Sequence, residues 1–303
     1  MIDWKEISKE IRQQLPALKL LEEEPLGKHT SFRIGGPAAL MAMPATKVEL
    51  ATLLRFVAAR GITPYLLGAG TNVLAPDDGL RALVICTKDA LTGISDLGGG
   101  KIEAYAGETL AKTAVFARNL SLTGLEFAHG IPGTVGGGVY MNAGAYGGEM
   151  KQVAVETEVL TMDGETRMLR AGEQGFGYRT SAFAQMRAVI VRTIFQLAPG
   201  DTEEISARMQ ELMEKRRASQ PLELPSAGST FKRPDGAYAG ALIQEAGLKG
   251  TRAGGACVSE KHAGFVVNTG GATAGDVKAL IALVQKRVYE TSGFTLEPEV
   301  RIW

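Results

Sequence analysis

The chain is poor in cysteine, in histidine and in surplus charge. Its 303 residues hold two cysteines, Cys86 and Cys257. They form neither a disulfide framework nor a metal-ligand spacing, which is the usage of a reducing compartment. Lys plus Arg and Asp plus Glu each number 33. With zero formal net charge, nothing favours nucleic acid or an acidic membrane as partner, although a local basic pocket stays open. The N-terminus, Met1-Ile2-Asp3-Trp4-Lys5-Glu6, lacks a basic stretch followed by an apolar one, so no signal peptide is expected. The longest uncharged stretch, 127–148, has 22 residues, eight of them glycine, with His129, Pro132 and Asn142 among the rest. That composition makes a poor membrane span. The expectation is a soluble, cytoplasmic protein with no metal.

Glycine, by contrast, is abundant: 38 of 303 residues, against a usual share of about 7%. The excess is too small and too aperiodic for collagen, and with 12 prolines it falls short of low complexity. Nine of the glycines lie in 124–148.

The pattern predicts helices over 3–22, 46–60, 109–122, 202–218, 237–246 and 274–291. Strands are expected over 81–86, 101–106, 153–161, 165–170, 188–197, 264–268 and 295–302. Thr46 and Thr109 read as N-caps, and Asp163-Gly164 as a hairpin turn. Strands and helices mix without regular alternation, so the fold class is α+β rather than a doubly wound sheet. A turn signal at Pro199-Gly200-Asp201 and the charge that follows it set a boundary after residue 198.

Two glycine loops stand out. Gly68-Ala69-Gly70-Thr71-Asn72 follows an apolar run, but a dinucleotide fingerprint would need a third glycine where Val73 stands. Its backbone N–H groups can still meet a phosphate; by itself it also reads as an ordinary tight turn. The second loop, Gly130-Ile131-Pro132-Gly133-Thr134-Val135-Gly136-Gly137-Gly138, continues through Asn142, Ala143 and Gly144. It suits a flat ligand lying against the main chain, or equally a glycine-rich packing crossover.

Both loops resemble the FAD-binding segments of the vanillyl-alcohol-oxidase-like (PCMH-type) flavoproteins. More narrowly, the chain resembles the UDP-N-acetylenolpyruvoylglucosamine reductase family. The motifs that carry the likeness, in family order, include His29-Thr30-Ser31-Phe32-Arg33-Ile34-Gly35-Gly36, Tyr178-Arg179-Thr180-Ser181-Ala182-Phe183, Ala227-Gly228-Ser229-Thr230-Phe231-Lys232-Arg233-Pro234 and Leu296-Glu297-Pro298-Glu299-Val300. The likeness covers roughly residues 25–303. It implies a two-part PCMH-type FAD-binding domain over 1–198 and a smaller α+β substrate-binding domain over 199–303. It also implies noncovalent FAD, since no histidine falls in 66–74, and NADPH and an enolpyruvyl UDP-sugar used in turn in one cleft. Only about 40 residues separate Tyr178 from Arg217, so the chain resembles the shorter subclass without a tyrosine-bearing lid. Oligomeric state is left open.

The resemblance gives individual residues tasks. Gly68, Ala69, Gly70, Thr71, Asn72, Gly130, Ile131, Pro132, Gly133, Thr134, Gly136, Gly137, Asn142, Ala143 and Gly144 would hold FAD. Ser229 matches the family's proton donor. A serine hydroxyl is a very weak acid, but a carbanion-like carbon is basic enough to take its proton, so placement outweighs pKa. Arg179 matches the catalytic arginine: a guanidinium forks onto a carboxylate into which charge flows. Glu299 matches the catalytic glutamate, donating to the intermediate or relaying a proton if its carboxyl is protonated or hydrogen-bonded. Lys232 is the first choice for the UDP diphosphate and Arg217 the second, with Tyr238 and Gln244 toward the uridine or sugar; His262 is given no role. By composition alone, Ser229 belongs to a turn, Arg179 to a strand end, Glu299 to an exposed strand and Arg217 to a solvated helix end. Two rivals stand at this point: a flavin oxidase of the same fold acting on an alcohol or sugar, and a non-catalytic binder of flavin or a nucleotide sugar.

Overall fold

The computed structural model describes residues 2–303. The chain forms two compact units, and it passes from one to the other five times. Unit 1 comprises Met1–Glu23, Ala39–Ala69 and Ala82–Lys215; unit 2 comprises Glu24–Ala38, Gly70–Arg81 and Arg216–Trp303.

Unit 1 is built on two sheets. The four-stranded sheet runs Lys19–Pro25, Pro37–Met43, Leu80–Cys86, Tyr65–Leu67. The five-stranded sheet runs Thr166–Arg170, Ala154–Thr161, Ala188–Gln196, Lys101–Tyr105, Ile94–Gly98, with antiparallel pairing throughout. The helix Lys47–Ala58 starts where Thr46 accepts a hydrogen bond from the Glu49 N–H. It buries Leu50, Leu53, Leu54 and Val57, the spacing of one helical face. Val48, by contrast, points outward at 74% exposure. The helix Leu110–Asn119 starts in the same way at Thr109.

Three readings of the first half of the chain change. The first helix is Trp4–Gln14, not 3–22. Pro16 disfavours helical geometry at its predecessor and cannot donate to the helix, and the chain re-forms as the strand Lys19–Pro25. The strand Pro37–Met43, buried from Ala38 to Met43, has no polar alternation to announce it. In the glycine-rich stretch a short helix, Val135–Tyr140, forms despite its poor helix formers because Thr134 caps it.

Unit 2 has a four-stranded sheet in the order Ser226–Ser229, Phe265–Asn268, Ala256–Val258, Arg252–Ala253. The helix Ala274–Ser292 buries Val277, Leu280, Ile281, Val284 and Val288, each contributing about 1.5–3 kcal/mol. They pack with Phe32, Ile34, Leu74 and Phe231 in one core. Thr273 and Asp276 cap this helix reciprocally, and the Asp77 carboxylate accepts from the Ala274 and Gly275 N–H groups. The expected strand 295–302 is regular only at Arg301–Ile302, paired parallel with Val73–Leu74. Pro298 has no N–H for a ladder.

Candidate FAD and substrate residues

The first glycine loop follows the strand Tyr65–Leu67. Among the described residues, no acceptor takes the backbone N–H groups of Gly68, Ala69, Gly70 or Thr71. A row of such donors suits an anion. Two of these positions also need glycine for packing. A Cβ on Gly68 would stand 2.6 Å from Thr134 Oγ1, and one on Gly70, whose φ is +63°, would stand 2.0 Å from the His29 carbonyl oxygen.

The second loop is braced from within unit 1. Val135 N–H donates to Glu108 O and Gly136 N–H to Ala106 O, while Gly137 N–H donates to Thr134 Oγ1. Gly133 O accepts from Leu110 N–H. A Cβ on Gly136 would meet Ala106 Cβ at 2.9 Å. Gly137 differs: the one atom near a Cβ there is Thr134 Oγ1, at 3.5 Å. Gly130, Ile131 and Gly133 are half-buried and Pro132 is exposed. The spare amides at 68–71 suit the pyrophosphate of a flavin dinucleotide, and, within unit 1, the flank of Gly137 leaves its main chain open.

Farther along, Gly144–Ala145 pairs with Gly148–Glu149, joined by Tyr146 and Gly147, both at positive φ, as two-residue hairpins favour. Ala143 is half-buried, and its N–H donates to Gly138 O. Asn142 is fully buried, with φ +44°. Its Nδ2 donates to Glu149 Oε2 at 2.8 Å and Gly177 O at 3.0 Å, and its Oδ1 accepts from Lys151 N–H at 2.9 Å. Arg179 occupies a tight turn between Gly177 and Thr180, which exchange backbone hydrogen bonds. Its φ is +54°, its Nη2 donates to Gly144 O at 3.2 Å, and its guanidinium lies 5.2 Å from the Tyr178 ring centroid.

In unit 2, Ser229 is exposed at the end of its strand, after a register irregularity at Gly228, whose φ is +74°. The next residues turn toward the C-terminal segment. Glu299 N–H donates to Thr230 O and Lys232 N–H to Glu297 O, both at 2.8 Å. Ser229 is therefore one residue from the point where Glu299 is fastened. Asn72 Nδ2 donates to Glu299 O at 3.1 Å, and Arg301 N–H donates back to Asn72 O. Thus the Asn72 side chain and backbone and the carbonyl of Thr230, next to Ser229 in the chain, together hold the Glu299 segment, with Thr71 half-buried beside Asn72 in sequence.

The substrate candidates are less unified. Lys232 Nζ pairs with Glu297, so a diphosphate there competes with a carboxylate. Tyr238 is 62% exposed, with the Arg233 guanidinium 3.9 Å from its ring centroid. Gln244 and Arg217 are exposed in the last turns of the helices Ala239–Glu245 and Thr202–Ser219. Arg217 O accepts from Lys261 Nζ. His262 Nδ1 accepts from Gly264 N–H, so the ring is the neutral Nε2–H tautomer. Burial holds its pKa below the ordinary histidine value, and Lys249 adds to that.

Sequence reasoning left Ser31, Asp77 and Glu149 without tasks. Ser31 Oγ donates to Ser226 O at 2.6 Å, and its N–H donates to Gly70 O. It ties the first glycine loop to the strand of Ser229. Its motif was the available signal, although nothing in the motif tells which carbonyls it reaches. Among the described residues, no helix is long and apolar enough to cross a membrane.

Known proteins give this arrangement a family. The model described as "FAD binding domain" matches residues 38–170, which places the chain among FAD-binding flavoproteins. The model for the C-terminal domain of UDP-N-acetylenolpyruvoylglucosamine reductase matches 220–303. The enzyme of that name from Streptococcus thermophilus is 47% identical over 97% of this chain and 96% of its own. That from Caldanaerobacter subterraneus is 46% identical over 96% of each. A crystal structure of the reductase from Thermus caldophilus superposes with a TM-score of 0.80 at 36% identity, covering 94% of this chain and 98% of that one. The chain belongs to the UDP-N-acetylenolpyruvoylglucosamine reductase family. It is α+β, with the FAD-binding and C-terminal parts of that family.

Proposed function

We infer that the protein reduces UDP-N-acetylenolpyruvoylglucosamine to UDP-N-acetylmuramate with NADPH, as a cytoplasmic step in making peptidoglycan precursor. The observation that carries this is the relatives' shared name over nearly the whole chain, together with the joining of the Ser229 and Glu299 segments. FAD, when bound, would supply the hydride chemistry that links NADPH to the enolpyruvyl group. The FAD part is taken as 1–198 and the substrate part as 199–303.

The chain's own residues would hold and orient the reactants. The amides of Gly68, Ala69, Gly70 and Thr71 bind the pyrophosphate, and the flank of Gly137 admits the ring. Gly130, Ile131, Pro132, Gly133, Thr134, Gly136, Ala143 and Gly144 shape the rest of that bed. Arg179 receives the substrate carboxylate as negative charge builds there. Ser229 holds the proton for the adjacent carbon, and Glu299, through a protonated or hydrogen-bonded carboxyl, donates to the same charge or relays a proton. Lys232 leaves Glu297 for the diphosphate, with Arg217, Tyr238 and Gln244 lining the nucleotide-sugar path.

The test is the visible spectrum of the purified protein. A yellow protein should bleach with NADPH and recolour without oxygen when the enolpyruvyl UDP-sugar is added. Recolouring by oxygen alone, with no response to that sugar, would favour an oxidase. A yellow protein that does not bleach would favour a non-catalytic binder.

A further inference from the structure

We propose that Asn142, held by Glu149, is a positioning residue for Arg179. The proposal rests on the reading of Arg179 as the group that receives the substrate carboxylate. A non-glycine residue at φ +54° is costly unless its surroundings fix it. The turn that carries Arg179 is closed by the Gly177–Thr180 pair, Gly177 N–H to Thr180 O at 3.0 Å and Thr180 N–H to Gly177 O at 3.3 Å. Gly177 O is the hinge of that pair, and it takes a second hydrogen bond, from Asn142 Nδ2.

The rest of the Asn142 amide is committed too. Its other Nδ2 hydrogen goes to Glu149 Oε2, and its oxygen takes Lys151 N–H. The side chain has no exposure, and both of its amide hydrogens are used within the protein. Glu149 is itself restrained, pairing with Lys151 Nζ through its other oxygen. Two residues beyond Asn142, Gly144 O accepts from Arg179 Nη2. One three-residue segment thus holds both the base of the turn and the guanidinium at its tip. The left-handed backbone of Asn142 suits asparagine, which tolerates it better than most residues.

The test uses the FAD-loaded protein in stopped flow, with Asn142→Gly, Glu149→Ala, Glu149→Gln, Arg179→Ala and the double variant Asn142→Gly/Arg179→Ala. Glycine accepts the positive φ, so the first variant removes the amide and spares the backbone. Asn142→Gly should keep its FAD content, flavin spectrum and rate of reduction by NADPH. Its limiting rate of reoxidation by the enolpyruvyl UDP-sugar should fall roughly 10–100-fold, with the half-saturating concentration little changed. Glu149→Ala should follow it, while Glu149→Gln, which keeps an acceptor oxygen, should stay close to the parent. The double variant should be no slower than Arg179→Ala, because both changes remove one function. Equal slowing of both half-reactions, or fully additive losses in the double variant, would overturn the proposal. If Arg179→Ala alone left reoxidation unchanged, the reading of Arg179 would fall instead.

Discussion

The side-chain amide of Asn72 donates to the main-chain carbonyl of Glu299 across 227 residues of sequence, at 3.1 Å. Arg301 N–H returns a bond to Asn72 O at 2.9 Å. The end of the first glycine loop is thereby registered against the main chain of Glu299, the residue proposed to manage the proton.

Replacing Ser229, the proposed proton donor, should separate the two halves of the reaction. Ser229→Ala removes a hydroxyl from an exposed strand end and should leave the fold intact. Reduction by NADPH should proceed at the parent rate, while reoxidation by substrate should slow by roughly 10²–10⁴-fold. Stopped-flow absorbance resolves the two, and equal slowing of both would contradict the donor role.

Glycines that look alike in sequence should respond in opposite ways. Gly70→Ala drives a Cβ to 2.0 Å from a backbone oxygen at φ +63°, with an expected loss of more than about 3 kcal/mol. Gly137→Ala sits inside a helix with open space beside it. It should keep or raise the stability of the apoprotein, by up to about 1 kcal/mol, while weakening FAD binding. Denaturant unfolding and FAD titration of both variants check this.

Lower pH should weaken unit 2 through His262. Its pKa in the folded chain is lowered, first by burial and then by the Lys249 charge. The unfolded chain therefore binds the proton more readily. The stabilising contribution is complete above the unfolded value of about 6.5 and fades as pH falls through the lower folded value. Unfolding midpoints compared between pH 7.5 and 5.5 should show a smaller drop for His262→Gln than for the parent chain.

Asp77→Ala should destabilise the start of the helix Ala274–Ser292. It strips the carboxylate from two N–H groups, at 2.7 and 3.1 Å. The expected cost is about 1–2 kcal/mol, readable as a lowered thermal midpoint. Asp77→Asn retains an acceptor and should lose about half as much.

Local signals in the sequence were reliable where one short segment decides its own structure. Thr46, Thr109 and the Asp163-Gly164 turn are such cases, with Gly164 at φ +78° between paired strands. The glycine loops were legible as places of close approach, but not what approaches them. Gly68 faces Thr134, Gly70 faces His29, and Gly136 faces Ala106, so the chain itself accounts for much of the glycine that suggested a ligand. Ser229 and Glu299 could be matched by motif, whereas their joining through Thr230 depends on a contact across the chain that no local pattern encodes. Asn142 illustrates the same limit: its residue type fits a ligand contact and an internal brace equally, and the brace shows only in its burial and hydrogen bonds.

The five passages between the units bear on how the molecule can be dissected. Cutting the gene after Lys215 would not release two self-sufficient halves. The C-terminal fragment would lack Phe32, Ile34 and Leu74 from its core and the Asp77 cap of its longest helix. The C-terminal fragment should not fold until the N-terminal one, which carries all of unit 1, is also present, so split-gene complementation, rather than truncation, is the route to studying unit 2.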